Sequence, residues 1–240
     1  MNSWGRSSGA LLAAALLTLP ALATPAAAKA APVTAGTCAE LTGGQLVYTA
    51  EPGVANDLTI TQDVDVIRLE DEAGTIKGCV AESPTTVVVK TATKIKVVAG
   101  DGDDVVVVNL LPKGQKVVVL GGDGDDELRG SGTHDDLRGG KGDDTLRGNG
   151  GDDTLRGDAG DDELRGGPGA DELNGGTGGD DLSGGAGTDE LNGGSGDDEL
   201  RGDADADELN GGGGADDLDG GADADSCNGG PGTDRTRRCE

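Results

Sequence analysis

From residue 128 the apolar positions of the chain follow one rule. A leucine stands every ninth residue, at Leu128, Leu137, Leu146, Leu155, Leu164, Leu173, Leu182, Leu191, Leu200, Leu209 and Leu218, with polar or glycine residues between. Two residues before each leucine lies an aspartate, and the set extends past the last leucine: Asp126, Asp135, Asp144, Asp153, Asp162, Asp171, Asp180, Asp189, Asp198, Asp207, Asp216, Asp225 and Asp234. Five residues before each aspartate, from Gly121 to Gly229, there is always a glycine. Such a period is the mark of a solenoid. Six residues per copy form a tight turn, and three, such as Glu127-Leu128-Arg129, form a minimal strand. Alternate side chains of a strand face opposite ways, so the leucine points in and its neighbours point to water. The second and fourth turn positions are mostly glycine, as a backbone with φ > 0 requires. The exceptions are Ser131, Asn149, Asp158 and Asp203 at the second position, and Thr133, Asp205 and Asp223 at the fourth.

Nine residues make half a coil, and eighteen return the chain to the same side, where strands stack about 4.8 Å apart. The aspartates therefore form two columns. One holds Asp126, Asp144, Asp162, Asp180, Asp198, Asp216 and Asp234, and the other Asp135, Asp153, Asp171, Asp189, Asp207 and Asp225. Carboxylates stacked at that distance repel one another unless a cation lies between them. Backbone carbonyls turned inward by the tight loops add further oxygen donors. A hard ion that accepts six to eight oxygens in flexible geometry fits this setting, which points to Ca²⁺; Mg²⁺ demands an octahedron and keeps its waters.

Upstream the apolar pattern changes from leucine to valine. Strands are predicted at 58–60, 64–69, 87–89, 95–98, 105–108 and 117–120. Val88, Val97 and Val106 are nine apart, and Val119 precedes Leu128 by nine. An insertion near Pro112-Lys113-Gly114 would restore the phase between Val106 and Val119. The run Ala99-Gly100-Asp101-Gly102-Asp103-Asp104 already resembles a calcium loop, with Asp104 at its sixth position. The solenoid is thus expected to begin before the regular repeats, with a separate small β domain as the alternative. The fold class predicted is all-β: a parallel β-roll or β-helix solenoid of nonapeptide repeats with a β-rich N-terminal capping region.

Composition sharpens this. The 240 residues carry a formal net charge of −27, with 47 glycines and no phenylalanine. So acidic a chain lacks the clustered Lys and Arg of a nucleic-acid partner and is not drawn to an anionic membrane. It either stays unfolded or takes up cations. One leucine per nine residues makes a thin core, which motivates the expectation that the repeats fold only when calcium binds.

The N-terminal segment reads as a secretory signal over 1–28. Arg6 supplies the positive start, Ala10 to Leu19 the apolar stretch, and Ala26-Ala27-Ala28 the cleavage site. The apolar run is too short to span a bilayer, so an extracellular, soluble, monomeric protein with no membrane insertion is expected. Residues 29–98 are assigned to the β-rich N-terminal region, 99–237 to the calcium-binding roll and 227–240 to a closing cap. Four cysteines suit an oxidising compartment, and the economical pairing is Cys38–Cys79 with Cys227–Cys239. No C-x-x-C occurs and His134 is the only histidine, which argues against zinc.

On these motifs, the segment from Gly121 to about Arg237 resembles the RTX (repeats-in-toxin) nonapeptide family of calcium-binding β-rolls, secreted bacterial proteins. The resemblance implies several Ca²⁺ ions held between loops by the sixth-position aspartates and backbone carbonyls. It carries that role to the thirteen aspartates above, with Asp104 joining them from its similar loop. Three features depart from the family pattern. The loop Gly130-Ser131-Gly132-Thr133-His134-Asp135 differs most; Asp205 and Asp223 at the fourth position would alter loop geometry or add a ligand; and an N-terminal signal with a terminal cysteine loop is unlike export read from the C-terminus.

Other chemistry finds little support. Asp203-Ala204-Asp205-Ala206-Asp207 begins like an EF-hand, but Glu208 stands where glycine is needed and Gly214 at position twelve. Paired aspartates such as Asp143-Asp144 recur in most copies, whereas an active site occurs once. His134 has no repeat equivalent and reads as a surface loop residue, Tyr48 as a packing residue, and flanking pairs such as Glu127/Arg129 and Glu163/Arg165 as a solvated ion-pair ladder. No catalytic residues are assigned. A secreted, non-enzymatic calcium-binding protein is expected. A calcium-dependent surface or matrix adhesion or spacer protein, with an extracellular polymer as partner, is the alternative; a secreted hydrolase with a catalytic part in 33–120 stands behind both.

Overall fold

A computed structural model of the chain describes residues 36–41, 45–50, 57–63, 66–71, 76–77, 81–83, 86–89, 94–109 and 115–240, with side chains from 95 onward and at a few earlier positions. The expected signal segment, the Cys38–Cys79 pairing and the insertion at 112–114 lie outside the described residues. Among those described there is no helix long and apolar enough to cross a membrane.

The protein is a parallel β-solenoid. Successive half-coils alternate between two sheets. One carries the strands from Lys94–Asp101 through Lys116–Asp123 and Asp135–Lys141 to Ser226–Asn228. The other carries those from Val105–Asn109 through Glu127–Arg129 to Arg235–Arg237. Coils stack in strict eighteen-residue register, Leu128 beside Leu146 and Leu155 beside Leu173. Between Val97 and Val119 the interval is longer, and the register nevertheless holds. All eleven leucines are fully buried and join one continuous core with Val97, Val106, Val117 and Val119. Cys227, in the leucine slot of the last full half-coil, is half-buried against it and bonded to Cys239.

Most strands of the roll are longer than three residues, Glu127–Arg129 and Thr145–Arg147 being among the exceptions. Glu163–Pro168 is typical, running on through the first half of the loop. The reason lies in the second-position residue. With a left-handed φ it still presents its N–H and C=O along the stacking axis, so Gly167 pairs with Gly185 of the next coil. Non-glycine residues at these turns accept the same backbone: Asn149, Asp158, Asp203, Asp205 and Asp223 all have φ between 75° and 80°. Asn and Asp tolerate that region best after glycine. Asp205 and Asp223 thus keep a positive φ at a position that is otherwise mostly glycine.

The start of the solenoid departs from the valine spacing. Tyr48 and Leu58, both buried, take the core slots of the first coil, in register with Val97 and Val106. Val88 does not stack on that coil. Its strand, Thr86–Val89, runs antiparallel to Val66–Asp71, which runs antiparallel to Asp57–Asp63. Gly36–Leu41 likewise pairs antiparallel with Gln45–Ala50. An antiparallel excursion thus widens both sheets beside the first coil, and the nine-residue spacing of Val88 is coincidental.

Candidate metal centre

The tight turns bring the sixth-position aspartates to the two long edges of the solenoid. Asp104 heads one column, above Asp126, Asp144, Asp162, Asp180, Asp198, Asp216 and Asp234; Asp135, Asp153, Asp171, Asp189, Asp207 and Asp225 form the other. All except the half-buried Asp234 are at most 4 % exposed. Each column is held by a hydrogen-bond ladder. The backbone N–H of one aspartate donates to Oδ1 of the aspartate one coil later, over 2.7–3.2 Å from Asp104 to Asp234 on one edge and from Asp135 to Asp225 on the other. A buried carboxylate thereby satisfies a buried N–H that the short loop leaves out of the sheet.

The ladder uses only one oxygen of each carboxylate. The Oδ2 atoms of Asp126, Asp144, Asp153, Asp162, Asp171, Asp180, Asp189, Asp198, Asp207, Asp216 and Asp225 are buried and have no hydrogen-bond partner. A buried carboxylate oxygen left unmatched is costly, and eleven such atoms in two rows are not a packing accident. The first-position glycines show how they are placed. A Cβ on Gly157 would lie 2.1 Å from Oδ2 of Asp162 and 2.6 Å from the carbonyl oxygen of Gly175, one coil on. The carboxylate folds back over its own loop glycine and converges with a carbonyl of the next coil, which is why no side chain is tolerated there.

The electrostatics agree. Burial, reinforced by neighbouring carboxylates of the same edge, pushes Asp126, Asp162, Asp180 and Asp189 up to about 7 and Asp153 to about 8. Asp144 and Asp207 rise to about 6, and Asp171 and Asp198 also move up, chiefly through burial. Such groups either hold a proton or need a cation beside them. Among the described residues no three His, Cys, Asp or Glu side chains converge as a cluster. A cation in these rows would instead be held by one carboxylate oxygen per loop together with loop carbonyls. That all-oxygen donor set suits Ca²⁺, and the orphaned Oδ2 atoms fit it.

Two features were not legible in the motif. The exposed fifth-position aspartates build a second ladder on the Asp126 edge. There the N–H groups of Asp125, Asp143, Asp161 and Gly179 donate to Oδ1 of Asp103, Asp125, Asp143 and Asp161, one coil earlier, over 2.8–3.1 Å. His134 does have a repeat equivalent: at the fifth position of the opposite edge it accepts the Asp152 N–H on Nδ1 at 2.8 Å. The outward flanks form the ion-pair ladder expected of them, with Glu127 beside Arg129 and Glu163 2.8 Å from Arg165.

A parallel β-solenoid whose edges are lined by buried, half-satisfied aspartates in nonapeptide loops is a metal-binding β-roll. The family model of the RTX calcium-binding nonapeptide repeat matches in overlapping stretches from 118–146 to 201–235, and through residues 118–235 the chain belongs to that family. No curated protein matches it.

Proposed function

We propose that this is a secreted, non-enzymatic calcium-binding protein whose roll folds as Ca²⁺ enters the two aspartate columns. The observation that carries the reading is the pair of rows of buried Oδ2 atoms without partners. Bound calcium would supply positive charge and coordination to those oxygens. The chain's own residues do the rest. Sixth-position aspartates present one oxygen to the gap between coils and lock the backbone of the coil before with the other. First-position glycines leave room for that carboxylate, and the leucines seal the inner face. Without neutralisation the columns repel along their length, and the one-leucine core is too thin to offset the loss of chain entropy.

Secretion rests on the N-terminal segment with its Ala26-Ala27-Ala28 site, and extracellular calcium would then drive folding after export. A non-enzymatic role is supported by the repetition of the acidic pairs along both edges. The test is far-UV circular dichroism of the mature chain in EGTA and in millimolar calcium, with calorimetric titration. Calcium is expected to raise the β signal, with on the order of ten ions bound per chain. A β spectrum unchanged by calcium would refute the folding claim.

A further inference from the structure

The loop Gly130–Asp135 is the one regular repeat whose carboxylate is fully occupied by the protein. Its Oδ2 accepts the Ser131 N–H at 2.5 Å and the Ser131 Oγ–H at 3.1 Å. Ser131 Oγ lies 3.0 Å from Thr133 Oγ1, which donates to the carbonyl of Gln115, one coil earlier, at 3.0 Å. Both hydroxyl residues are buried, and neither has the left-handed backbone that the second and fourth positions adopt in the other loops, Gly232 apart. The facing loop contributes too. Asn149 Nδ2 donates to the carbonyl of Gly130 at 2.7 Å. The three departures from glycine therefore gather donors around one loop: Ser131 turns onto Asp135, Asn149 crosses the gap from the next coil to Gly130, and Thr133 ties the loop to the coil before. In the gaps that follow on this edge, by contrast, Oδ2 of Asp153, Asp171, Asp189, Asp207 and Asp225 has no partner.

We infer that the gap between loops 130–135 and 148–153 is a metal-free closure in which hydroxyl and amide hydrogen bonds replace the cation, so that the ion row of this edge begins at Asp153. A cation there would meet N–H and O–H dipoles pointing at the oxygens it needs, and would have to displace Ser131 from Asp135 and Asn149 from Gly130. The inference rests on the calcium reading of the columns and adds to it which gap is excluded. The consequence is a coil edge, next to the valine-cored start of the solenoid, that is complete without calcium and can seed the calcium-dependent coils beyond it.

The test is the number of calcium ions bound per full-length mature chain, by equilibrium dialysis with metal analysis. Asp135→Asn is expected to leave the number unchanged, while Asp153→Asn lowers it by at least one. A second variant runs the other way: Ser131→Gly, Thr133→Gly and Asn149→Gly together restore the repeat pattern and are expected to add one ion. Loss of an ion in Asp135→Asn, or no gain in the triple variant, overturns the closure while leaving the calcium reading intact. A wild-type chain that binds no calcium, or an Asp153→Asn chain that binds as much as wild type, overturns the calcium reading and the closure with it.

Discussion

Gly175→Ala isolates the geometry on which each candidate site depends. Gly175 stands at the first position of its loop with a backbone that any residue could adopt, so the effect of the substitution is steric. The added Cβ would lie 2.2 Å from Oδ2 and 2.7 Å from Cγ of Asp180, and 2.7 Å from the carbonyl oxygen of Gly193 in the next coil. The carbonyl belongs to a paired strand and cannot retreat, so Asp180 must leave the column. Its departure strands the buried N–H of Asp162, which donates to Asp180 Oδ1 at 2.9 Å. An unsatisfied buried donor costs about 1–3 kcal/mol, and overpacking about 1–3 kcal/mol more, so a local loss of about 2–6 kcal/mol is expected together with at least one bound ion. Gly213→Ala is the matched control: a Cβ there meets nothing within 4 Å, and a change within about 0.5 kcal/mol is expected. Because a solenoid opens locally, the assay is amide hydrogen exchange in saturating calcium, with ion counting. A Gly175→Ala chain matching the Gly213→Ala chain in both readouts would refute the argument.

Three further outcomes follow from the same structure. Burial holds the carboxyls of Asp126, Asp144, Asp153, Asp162, Asp180, Asp189 and Asp207 at about 6 to 8 in the folded, calcium-free chain, above the ordinary value of 3.8. The folded chain therefore binds more protons than the unfolded one across that window, and its stability falls as pH rises from about 4 to 8. Acidifying a calcium-stripped chain from pH 8 towards 4 should raise its β signal; a signal that falls would refute the cause assigned. Leu182→Ala removes a fully buried core side chain and should cost about 3–5 kcal/mol, read as faster exchange in the coils stacked on it and little change near Leu128. Replacing Cys227 and Cys239 by serine opens a link twelve residues apart and should cost the last coil about 3 kcal/mol. Exchange should rise over 226–240 and not over 155–200; uniform acceleration along the solenoid would count against a local clamp.

The repeats were legible because their period matches the geometry of the coil. Nine residues bring the chain to the opposite edge, so an aspartate fixed two places before a leucine lands in a column beside the core. The start of the solenoid was not legible by the same rule. Tyr48 and Leu58 fill the first coil ten residues apart, with an excursion of antiparallel strands before Lys94–Asp101, and the in-phase Val88 belongs to that excursion. Spacing identifies a core slot only where every turn has the same length. The Oδ1 ladder also escaped the sequence, since the motif names the carboxylate without saying which N–H groups the loop leaves over. Ser131, Thr133 and Asn149 were visible as departures, but their gathering around one loop depends on the eighteen-residue return.

The two ladders of the Asp126 edge give the solenoid a grain along its axis. The inner row ties each coil's N–H to the carboxylate of the coil after it, and the outer row ties it to the coil before. Where both operate, from Asp103 to Gly179, each junction is stitched in both directions. Gly179 occupies a fifth position and has no side chain to accept the next N–H, so the following junction keeps only the inner bond, from Asp180 to Asp198. The outer stitch returns where Ala215 donates to Asp197. At the far end of this edge Asp216 N–H keeps only the 3.2 Å ladder bond to Asp234, while on the opposite edge Glu240 N–H reaches the carbonyl of Asp225 at 3.0 Å and Cys239 bridges to Cys227. Cohesion is therefore less protein-borne at the Asp180–Asp198 junction than at the doubly stitched junctions before it: the inner bond and the sheet bond from Glu199 N–H to the Asp180 carbonyl remain, and a cation between the two carboxylates would there do more of the work.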